Sequence, residues 1–385
     1  MTNSTHASNV VAAFLIVFRS WTVYYKIPTF PVYLLFVFIV FFYNSPFNKR
    51  QLVFYCLFVL VAFRFFLNEA ITTESVLIAF VRASVTGSVF LIRPLNQRRI
   101  IDLMILILSY IVLIGLVQHL FKLFGILKVP ILNHLIFEDG RAYNIYIFNV
   151  YEISRYTGVE LNFRFNSIFD EPGFLGTISA LILIYEKFNF FRIRNILIGL
   201  GGLFSLSLAF FIIVTIYYFL QLIKFKKVHS VSIVKFVLIF LLFSLFFPYL
   251  SNLIFDRFSY ESGYGLTGDS RGGLVAFQES IMILSNENLL SFLFGSGYDS
   301  FLKYQGYYIA NSNVYRLLLQ IGILGFLYLV FIIFIFRKNK YENIIFIFAF
   351  ILSIYQRPQI FEFIFLILLS VNLEFHVTEK VDRVL

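Results

Sequence analysis

The residues from Arg164 to Gly176 bring a cation and two carboxylates together directly before an apolar run. The stretch reads Arg-Phe-Asn-Ser-Ile-Phe-Asp-Glu-Pro-Gly-Phe-Leu-Gly, so that Glu171 follows Arg164 by seven residues. One interpretation is helix capping, in which Asp170 and Glu171 precede a helix that begins at Pro172. The other is chemical: the Arg164 guanidinium would bind phosphate oxygens, and the Glu171 carboxylate would accept a proton from a hydroxyl. We take Arg164 and Glu171 as candidate catalytic residues.

A second polar stretch, residues 256–273, carries Arg257, Asp269 and Arg271 among many glycines. Its part 263–273 reads Gly-Tyr-Gly-Leu-Thr-Gly-Asp-Ser-Arg-Gly-Gly, and such glycine density lets the backbone approach a ligand closely. The guanidinium of Arg271 is a forked, permanently charged donor that suits a phosphate, which makes Arg271 the third candidate catalytic residue. Arg257 and Asp269 are candidate substrate-binding residues. A flexible loop with Arg271 in solvent is the alternative.

A third polar patch begins at Asn311, after the stretch Leu-Phe-Gly-Ser-Gly-Tyr at 293–298. Asn311 and Asn313 lie just before an apolar run, and Arg316 follows about one helical turn later, where it could face the same cavity. A charge inside an apolar run is costly to insert into a membrane, so such an arginine is either functional or structurally paired. We take Asn311, Asn313 and Arg316 as candidate substrate-binding residues, and we expect Arg64 either to snorkel towards the membrane surface or to be structurally paired.

The overall composition indicates what kind of protein must hold these residues. Of the 385 residues, 60% are hydrophobic, 20% are aromatic and only 14% are charged. An ordinary soluble chain carries about 25% charged residues, and a single soluble core cannot bury this much apolar surface. The composition therefore excludes a soluble enzyme, a disordered chain and a secreted disulfide scaffold, and it favours a protein embedded in lipid.

The net charge of +10 does not require a nucleic-acid partner, because membrane proteins concentrate Lys and Arg in short cytoplasmic loops. The single cysteine, Cys56, excludes an intramolecular disulfide and a zinc site built on cysteines. The five histidines are scattered, and the sequence carries no Gly-x-Gly-x-x-Gly, Walker or His-Glu-x-x-His pattern. We therefore expect neither a metal nor a cofactor.

Apolar runs of membrane-spanning length recur along the chain and predict an all-α polytopic membrane protein with about twelve transmembrane helices. We predict one membrane-embedded domain, 1–385, whose basic clusters place both termini in the cytoplasm. Two long segments, about 122–171 and 251–312, break the apolar rhythm and are predicted as loops on the outer face, where the chemistry would lie. Glycines and serines predict a tight reversal between the runs 194–205 and 207–223. The predicted spans are 10–25, 28–43, 51–67, 75–92, 100–121, 172–187, 194–205, 207–223, 232–250, 313–336, 342–356 and 358–375.

In their order, these motifs resemble those of the Wzy-type O-antigen and capsular polysaccharide polymerases, in the O-antigen polymerase and ligase superfamily. The resemblance rests on Arg followed by Phe-x-Glu-Pro-Gly at the end of the first loop and on an Arg in a Gly- and Ser-rich second loop. Leu-Phe-Gly-Ser-Gly-Tyr-Asp-Ser-Phe and the polar helix start Asn-Ser-Asn-Val-Tyr-Arg follow in the same order. By motif the resemblance covers about 160–330, and by topology it covers the whole chain.

The resemblance implies a GT-C-like, inverting membrane glycosyltransferase of the bacterial cytoplasmic membrane that needs no metal. Such an enzyme transfers a growing glycan from undecaprenyl diphosphate to the non-reducing end of a lipid-linked repeat unit. Arg164 and Arg271 match the outer-loop arginines that engage the diphosphate or substrate, and Glu171 matches the acidic residue of the Glu-Pro-Gly motif. The implied partners are the lipid-linked donor and acceptor, membrane lipids and a chain-length regulator.

Two other functions stay open. A flippase or another transporter of lipid-linked oligosaccharides would also suit about twelve spans and buried arginines, although the long loops and the lack of repeated halves argue against it. An O-antigen ligase would share the fold and the donor but not the acceptor. Ligases usually carry a His–Asn pair at the positions that Asn311 and Ser312 occupy here, so the resemblance favours a polymerase.

Overall fold

The computed structural model of this chain is mostly helical. It describes residues 2–19, 35–40, 48–67, 71–126, 130–136, 142–153, 164–169, 171–224, 260–261, 265–266, 282, 289–297, 313–338, 341–356 and 361–373. The helices are α1 (Thr2–Arg19), α2 (Lys49–Phe66), α3 (Thr73–Gly87, continued by the 3₁₀ turn Ser88–Leu91), α4 (Pro94–Leu123), α5 (Pro172–Tyr185), α6 (Ile193–Phe204), α7 (Leu208–Lys224), α8 (Leu289–Phe294), α9 (Asn313–Ile335), α10 (Tyr341–Gln356) and α11 (Phe363–Ser370).

Local sequence signals set several of the helix starts. α2 begins at a capping box. The Asn48 side chain accepts a hydrogen bond from the backbone of the first turn, and the Gln51 side chain accepts one from the backbone N–H of Asn48. Thr72 forms a second capping box at the start of α3. α4 and α5 begin with Pro94 and Pro172, whose fixed φ suits the first turn and whose missing N–H group would have no partner there.

Three of the described helices are long and apolar enough to cross a membrane, namely Thr73–Leu91, Pro94–Leu123 and Leu317–Ile335. Shorter apolar helices accompany them at His6–Arg19, Pro172–Tyr185, Ile193–Phe204, Leu208–Gln221 and Tyr341–Ile354. These helices are those of a membrane protein, as the composition predicts. The predicted span 232–250 lies outside the described residues, and the total of about twelve spans stays a prediction.

The prediction of an all-α protein is incomplete, because both predicted loops contain β-structure. The first loop holds a three-stranded antiparallel sheet in the order β1 (Asn133–Ile136), β2 (Ala142–Ile145) and β3 (Val150–Ile153). The second holds a short antiparallel pair, β4 (Tyr260–Glu261) and β5 (Gly265–Leu266). Hydropathy windows of membrane-spanning length cannot detect strands of two to four residues, which explains why the sequence analysis missed them.

The three-stranded sheet is fastened to the last turns of α4. Asn149, in the turn between β2 and β3, donates hydrogen bonds from Nδ2 to the Gly115 carbonyl oxygen at 2.8 Å and to the Gln118 side chain at 3.0 Å. A Cβ atom at Gly115 would lie 2.8 Å from the carbonyl oxygen of Phe148, so the sheet approaches α4 at a distance that only glycine permits. The described strands of the first predicted loop are therefore packed against α4.

Two contacts fix the relative directions of the helices. Gln51, in the first turn of α2, donates from Nε2 to the carbonyl oxygens of Phe90 and Ile92 at 3.1 and 2.9 Å, just before α4 begins. Arg194, in the first turn of α6, lies 2.7 Å from the carboxylate of Asp102 in the first half of α4. The starts of α2, α4 and α6 therefore share one end of the bundle, which we call the basic end. Their last turns lie at the opposite end, which we call the motif end.

α5 and α7 run in the opposite direction. Glu186, which follows α5, pairs with Arg194 at 2.9 Å, so α5 ends at the basic end and begins at the motif end. Only residues 205–207 separate α6 from α7. The ring of Phe188, near the basic end, contacts Tyr217 in the second half of α7 with 5.0 Å between centroids, so α7 returns to the basic end. The predicted tight reversal between these two helices is confirmed.

α11 lies in the centre of the bundle. All of its residues, Phe363–Ser370, are buried, and it packs against α1, α4 and α5. The ring of Phe365 makes edge contacts with Phe174 of α5 and Phe350 of α10, at 5.5 and 6.2 Å between centroids. A helix that is apolar on every face is expected at such a position, because other helices must surround it.

Candidate functional site

Arg164 is held at the turn between α6 and α7, at the motif end. Its Nε atom donates to the carbonyl oxygen of Ser205 at 3.1 Å, and its Nη2 atom donates to that of Leu206 at 3.4 Å. Carbonyl groups at the end of a helix have no partner within the helix and attract cations, which accounts for an arginine here. These bonds position the half-buried guanidinium at the motif end.

The segment that leads from Arg164 to α5 is a compact, buried turn. Phe165 donates its backbone N–H to the carbonyl oxygen of Phe204 at 3.1 Å. Ser167 is fully buried with a φ of 52°, and its hydroxyl has no hydrogen-bond partner among the described residues. The ring of Phe169 stacks on Phe174 of α5 with 4.8 Å between centroids. The turn thereby fixes Arg164 relative to the start of α5.

Glu171 occupies the N-cap position of α5, in an extended conformation with φ −132°. Its side chain makes no capping hydrogen bond to the backbone of α5. The hydrogen bond that an N-cap carboxylate usually contributes is therefore missing at Glu171, and what remains of a capping role is the interaction of its charge with the positive end of α5. Asp170, the other candidate cap, lies outside the described residues.

The start of α5 packs directly against the turn that binds Arg164. A Cβ atom at Gly176 would lie 2.4 Å from the Cβ atom of Ser207 and 2.8 Å from the hydroxyl oxygen of Ser205. Glu171 precedes Gly176 by five residues, which is a little more than one helical turn. The structure therefore places Arg164 and Glu171 on two elements that meet at the 205–207 turn.

The stretch Leu293–Gly297 packs into a break in α9. The backbone N–H groups of Ser296 and Gly297 donate to the carbonyl oxygens of Leu319 and Gln320 at 2.7 and 3.2 Å. The break is at Gly322, where φ is 70° and ψ is 173°. The amide groups of the motif thus satisfy carbonyl groups that the broken helix leaves without helical partners, as backbone at membrane depth requires.

Arg64 connects this break to α2. Its Nε atom donates to the carbonyl oxygen of Phe294 at 2.7 Å, and its Nη2 atom donates to that of Gly295. Of the two alternatives expected for Arg64, snorkelling and structural pairing, the structure shows the pairing. Since Arg64 lies in the last turn of α2, the Leu293–Gly297 stretch lies at the motif end, as do Arg164 and Glu171.

We expect Gly322→Ala to destabilise the protein. A Cβ atom at this position would lie 2.3 Å from the carbonyl oxygen of Leu293. The backbone conformation itself is essentially restricted to glycine, which adds a strain of about 1–3 kcal/mol. Thermal unfolding of the detergent-solubilised protein measures the effect. Gly199→Ala is the matched control, because its Cβ atom would meet Phe190 at an ordinary 3.5 Å; equal unfolding temperatures for the two variants would contradict the break at Gly322.

Of the eight predicted site residues, the structure describes the side-chain positions of Arg164 and Glu171 but not those of the other six. Arg257, Asp269, Arg271 and Asn311 lie outside the described residues. Asn313 and Arg316 lie in the first turn of α9, but their side chains are outside the described part of the structure. Their roles stay predictions.

One carboxylate at the motif end escaped the sequence analysis. Glu362 is the N-cap residue of α11 and, like Glu171, makes no capping hydrogen bond with its side chain. The ring of the preceding residue, Phe361, lies 4.2 Å from Phe65 and 5.9 Å from Phe66 between centroids, at the end of α2. The signal in the sequence was a single glutamate inside the predicted span 358–375, where a charge is costly and therefore notable.

A second group missed from the sequence surrounds Lys122, near the end of α4. Its ammonium lies 4.1 Å from the ring centroids of both Tyr146 and Tyr151, and it donates to the Tyr146 hydroxyl at 2.7 Å. His119 Nδ1 lies 2.8 Å from the Tyr151 hydroxyl, and its ring contacts Phe165 at 5.4 Å between centroids. This largely buried cluster joins the sheet, α4 and the turn after Arg164.

No protein-family model, curated protein or solved structure matches this chain. Within the described ranges, no three His, Cys, Asp or Glu side chains lie together in a way that could hold a metal ion.

Proposed function

We propose that this chain is a bacterial membrane glycosyltransferase that polymerises lipid-linked oligosaccharide repeat units into O-antigen or capsular polysaccharide. One observation supports the proposal: Arg164 bonds to the 205–207 turn, and α5, which begins directly after Glu171, packs against the same turn at Gly176, at the end of the bundle that holds the Leu293–Gly297 stretch. A positioned cation and a carboxylate that makes no capping hydrogen bond are the groups that such a transfer needs. The undecaprenyl diphosphate carrier, the GT-C-like arrangement of about twelve spans and the chain-length regulator belong to the proposal through the resemblance.

In the proposed reaction, a sugar hydroxyl of the acceptor attacks the anomeric carbon of the donor, and the bond from that carbon to the diphosphate oxygen breaks. The electron pair of that bond leaves with the diphosphate, whose growing negative charge Arg164 stabilises. The carbonyl oxygens of Ser205 and Leu206 hold the guanidinium in place, so little reorganisation is needed during the reaction. Glu171 accepts the proton of the attacking hydroxyl. Attack opposite the leaving group inverts the anomeric configuration.

The break in α9 bears on the alternative of a transporter. Discontinuous helices at membrane depth are typical of transporter binding sites, where exposed backbone groups contact the substrate. Here the carbonyl oxygens of Leu319 and Gln320 are bonded to Ser296 and Gly297 of the same chain. Because these carbonyl groups are already bonded, they are not available to a transported substrate. The break therefore favours a role in anchoring the Leu293–Gly297 stretch over a role as a transport site.

A deletion strain tests the proposal against the flippase alternative. Loss of a polymerase should leave glycans with a single repeat unit at the cell surface, because unpolymerised units can still cross the membrane and be ligated. Electrophoresis of surface glycans from the deletion strain measures their length. A surface without any repeat unit, together with lipid-linked precursor retained inside, would contradict the polymerase and support a flippase.

A further inference from the structure

The basic end carries an open groove between α4 and α6. It is lined by Asp102, Leu106, Arg192, Ile193 and Arg194 and has a volume of about 590 Å³. That volume is within the range of small-molecule sites, but the groove is open along one side and does not enclose its contents. The proposed reaction takes place at the other end of the bundle, so this groove has no part in it.

Apolar side chains are exposed along and beside the groove. Ile193 is 74% exposed, Leu106 is 40% exposed, and Phe191, in the turn that precedes α6, is 97% exposed. Three exposed apolar side chains around one groove of a membrane protein are expected where the surroundings are lipid, because water would penalise each of them.

The polar side of the groove is an ion-pair network with an excess of positive charge. Arg194 pairs with Asp102 at 2.7 Å and with Glu186 at 2.9 Å, so one arginine engages both carboxylates. Arg192 also contacts Glu186, at 2.8 Å through Nη1, yet its side chain remains 53% exposed. Arg98, one turn before Asp102 on α4, is exposed as well. Arg192 and Arg194 line the groove with Asp102, and Arg192 and Arg98 are the arginines here whose side chains are exposed.

We propose that this groove binds an anionic phospholipid, with its headgroup phosphate at Arg192 and one acyl chain along Leu106 and Ile193. A guanidinium binds phosphate oxygens through a planar pair of donors, and Arg192 engages only Nη1 in hydrogen bonds with the described residues. Basic pockets between transmembrane helices at the cytoplasmic side recognise anionic headgroups in this way. The positive end of α6, which has no acidic residue in its first turn, adds to the attraction.

Retention of lipid by the purified protein tests the proposal. Full-length protein in a zwitterionic detergent is mixed with phosphatidylglycerol or with phosphatidylcholine, and bound lipid is counted by native mass spectrometry. We expect clear preference for phosphatidylglycerol. Ile193→Glu should lower its retention about fivefold or more, because a carboxylate replaces an exposed apolar side chain beside Arg192 without removing any ion pair. Ile193→Gln, which is polar but neutral, should have a smaller effect.

Arg192→Gln should lower retention of phosphatidylglycerol about fivefold, and Arg192→Lys should restore part of it. Arg50→Gln removes the same charge from the basic end away from the groove and should leave retention unchanged. Equal binding of the two lipids, or wild-type retention in both Ile193→Glu and Arg192→Gln, would overturn the proposal. Displacement of phosphatidylglycerol by inorganic phosphate alone, or binding of an acidic peptide in preference to the lipid, would also contradict it.

Discussion

Glu171→Gln is expected to lower the rate of glycan polymerisation by roughly 10²–10⁴-fold, the usual contribution of a general base. Glutamine keeps the size of the side chain but cannot accept the proton of the attacking hydroxyl. Because Glu171 makes no capping hydrogen bond, the substitution removes no side-chain cap from the start of α5, and thermal unfolding of the variant separates an effect on stability from an effect on chemistry. Glycan length in a complemented deletion strain, measured at matched membrane abundance, reports the effect.

Glu362→Gln provides a matched control. Glu362 is also a glutamate at a helix N-cap of the motif end, and it also makes no capping hydrogen bond. It lies outside the Arg164–Gly176 segment, so polymerisation should stay near the wild-type rate. Wild-type polymer from Glu171→Gln combined with loss of polymer from Glu362→Gln would move the proposed base to Glu362 and contradict the role of Glu171.

Arg164→Ala should reduce polymerisation by roughly 10²–10³-fold, because it removes a positioned cation from the developing diphosphate charge. Arg164→Lys should recover only part of the rate, since an ammonium cannot reproduce the planar fork that reaches both Ser205 and Leu206. The measurement is again glycan length at matched membrane abundance.

The bonds to Ser205 and Leu206 also give Arg164 a structural role, which a control must separate from chemistry. Arg337 lies at the basic end, because the ring of the preceding Phe336 is 5.0 Å from that of Phe54, in the second turn of α2. Its Nη1 atom donates to the carbonyl oxygen of Phe334 at 3.0 Å. Arg337→Ala therefore removes an arginine from the end of a helix, far from the motif end. If Arg337→Ala and Arg164→Ala lower polymer and unfolding temperature equally, the chemical role of Arg164 is wrong.

Helix boundaries could be predicted wherever a residue type constrains the backbone directly. Pro172 marks the start of α5 because its ring fixes φ and removes an N–H group that the first turn does not need. The Gly- and Ser-rich stretch before α7 likewise marked the reversal, since these residues interrupt helices. These signals depend only on neighbouring residues, so they mark helix boundaries even in a chain whose apolar runs are otherwise similar in composition.

The contacts that assemble the motif end could not be predicted, because they join residues far apart in the sequence. Arg164 contacts a turn 41 residues away, and Arg64 contacts the Leu293–Gly297 stretch 230 residues away. No local pattern specifies such pairs. Gly322 was visible only as a glycine in an apolar run, and its positive φ follows from the close approach of Leu293.

Chain extension by the purified protein tests the central claim most directly. Lipid-linked repeat units extracted from a deletion strain would be incubated with proteoliposomes that contain the purified chain, and glycan length would be measured by electrophoresis. The proposed function predicts a ladder of products with two or more repeat units, and it predicts that this ladder is lost with Arg164→Ala but kept with Arg337→Ala. Units that cross the bilayer without growing, in the presence of folded protein, would contradict it.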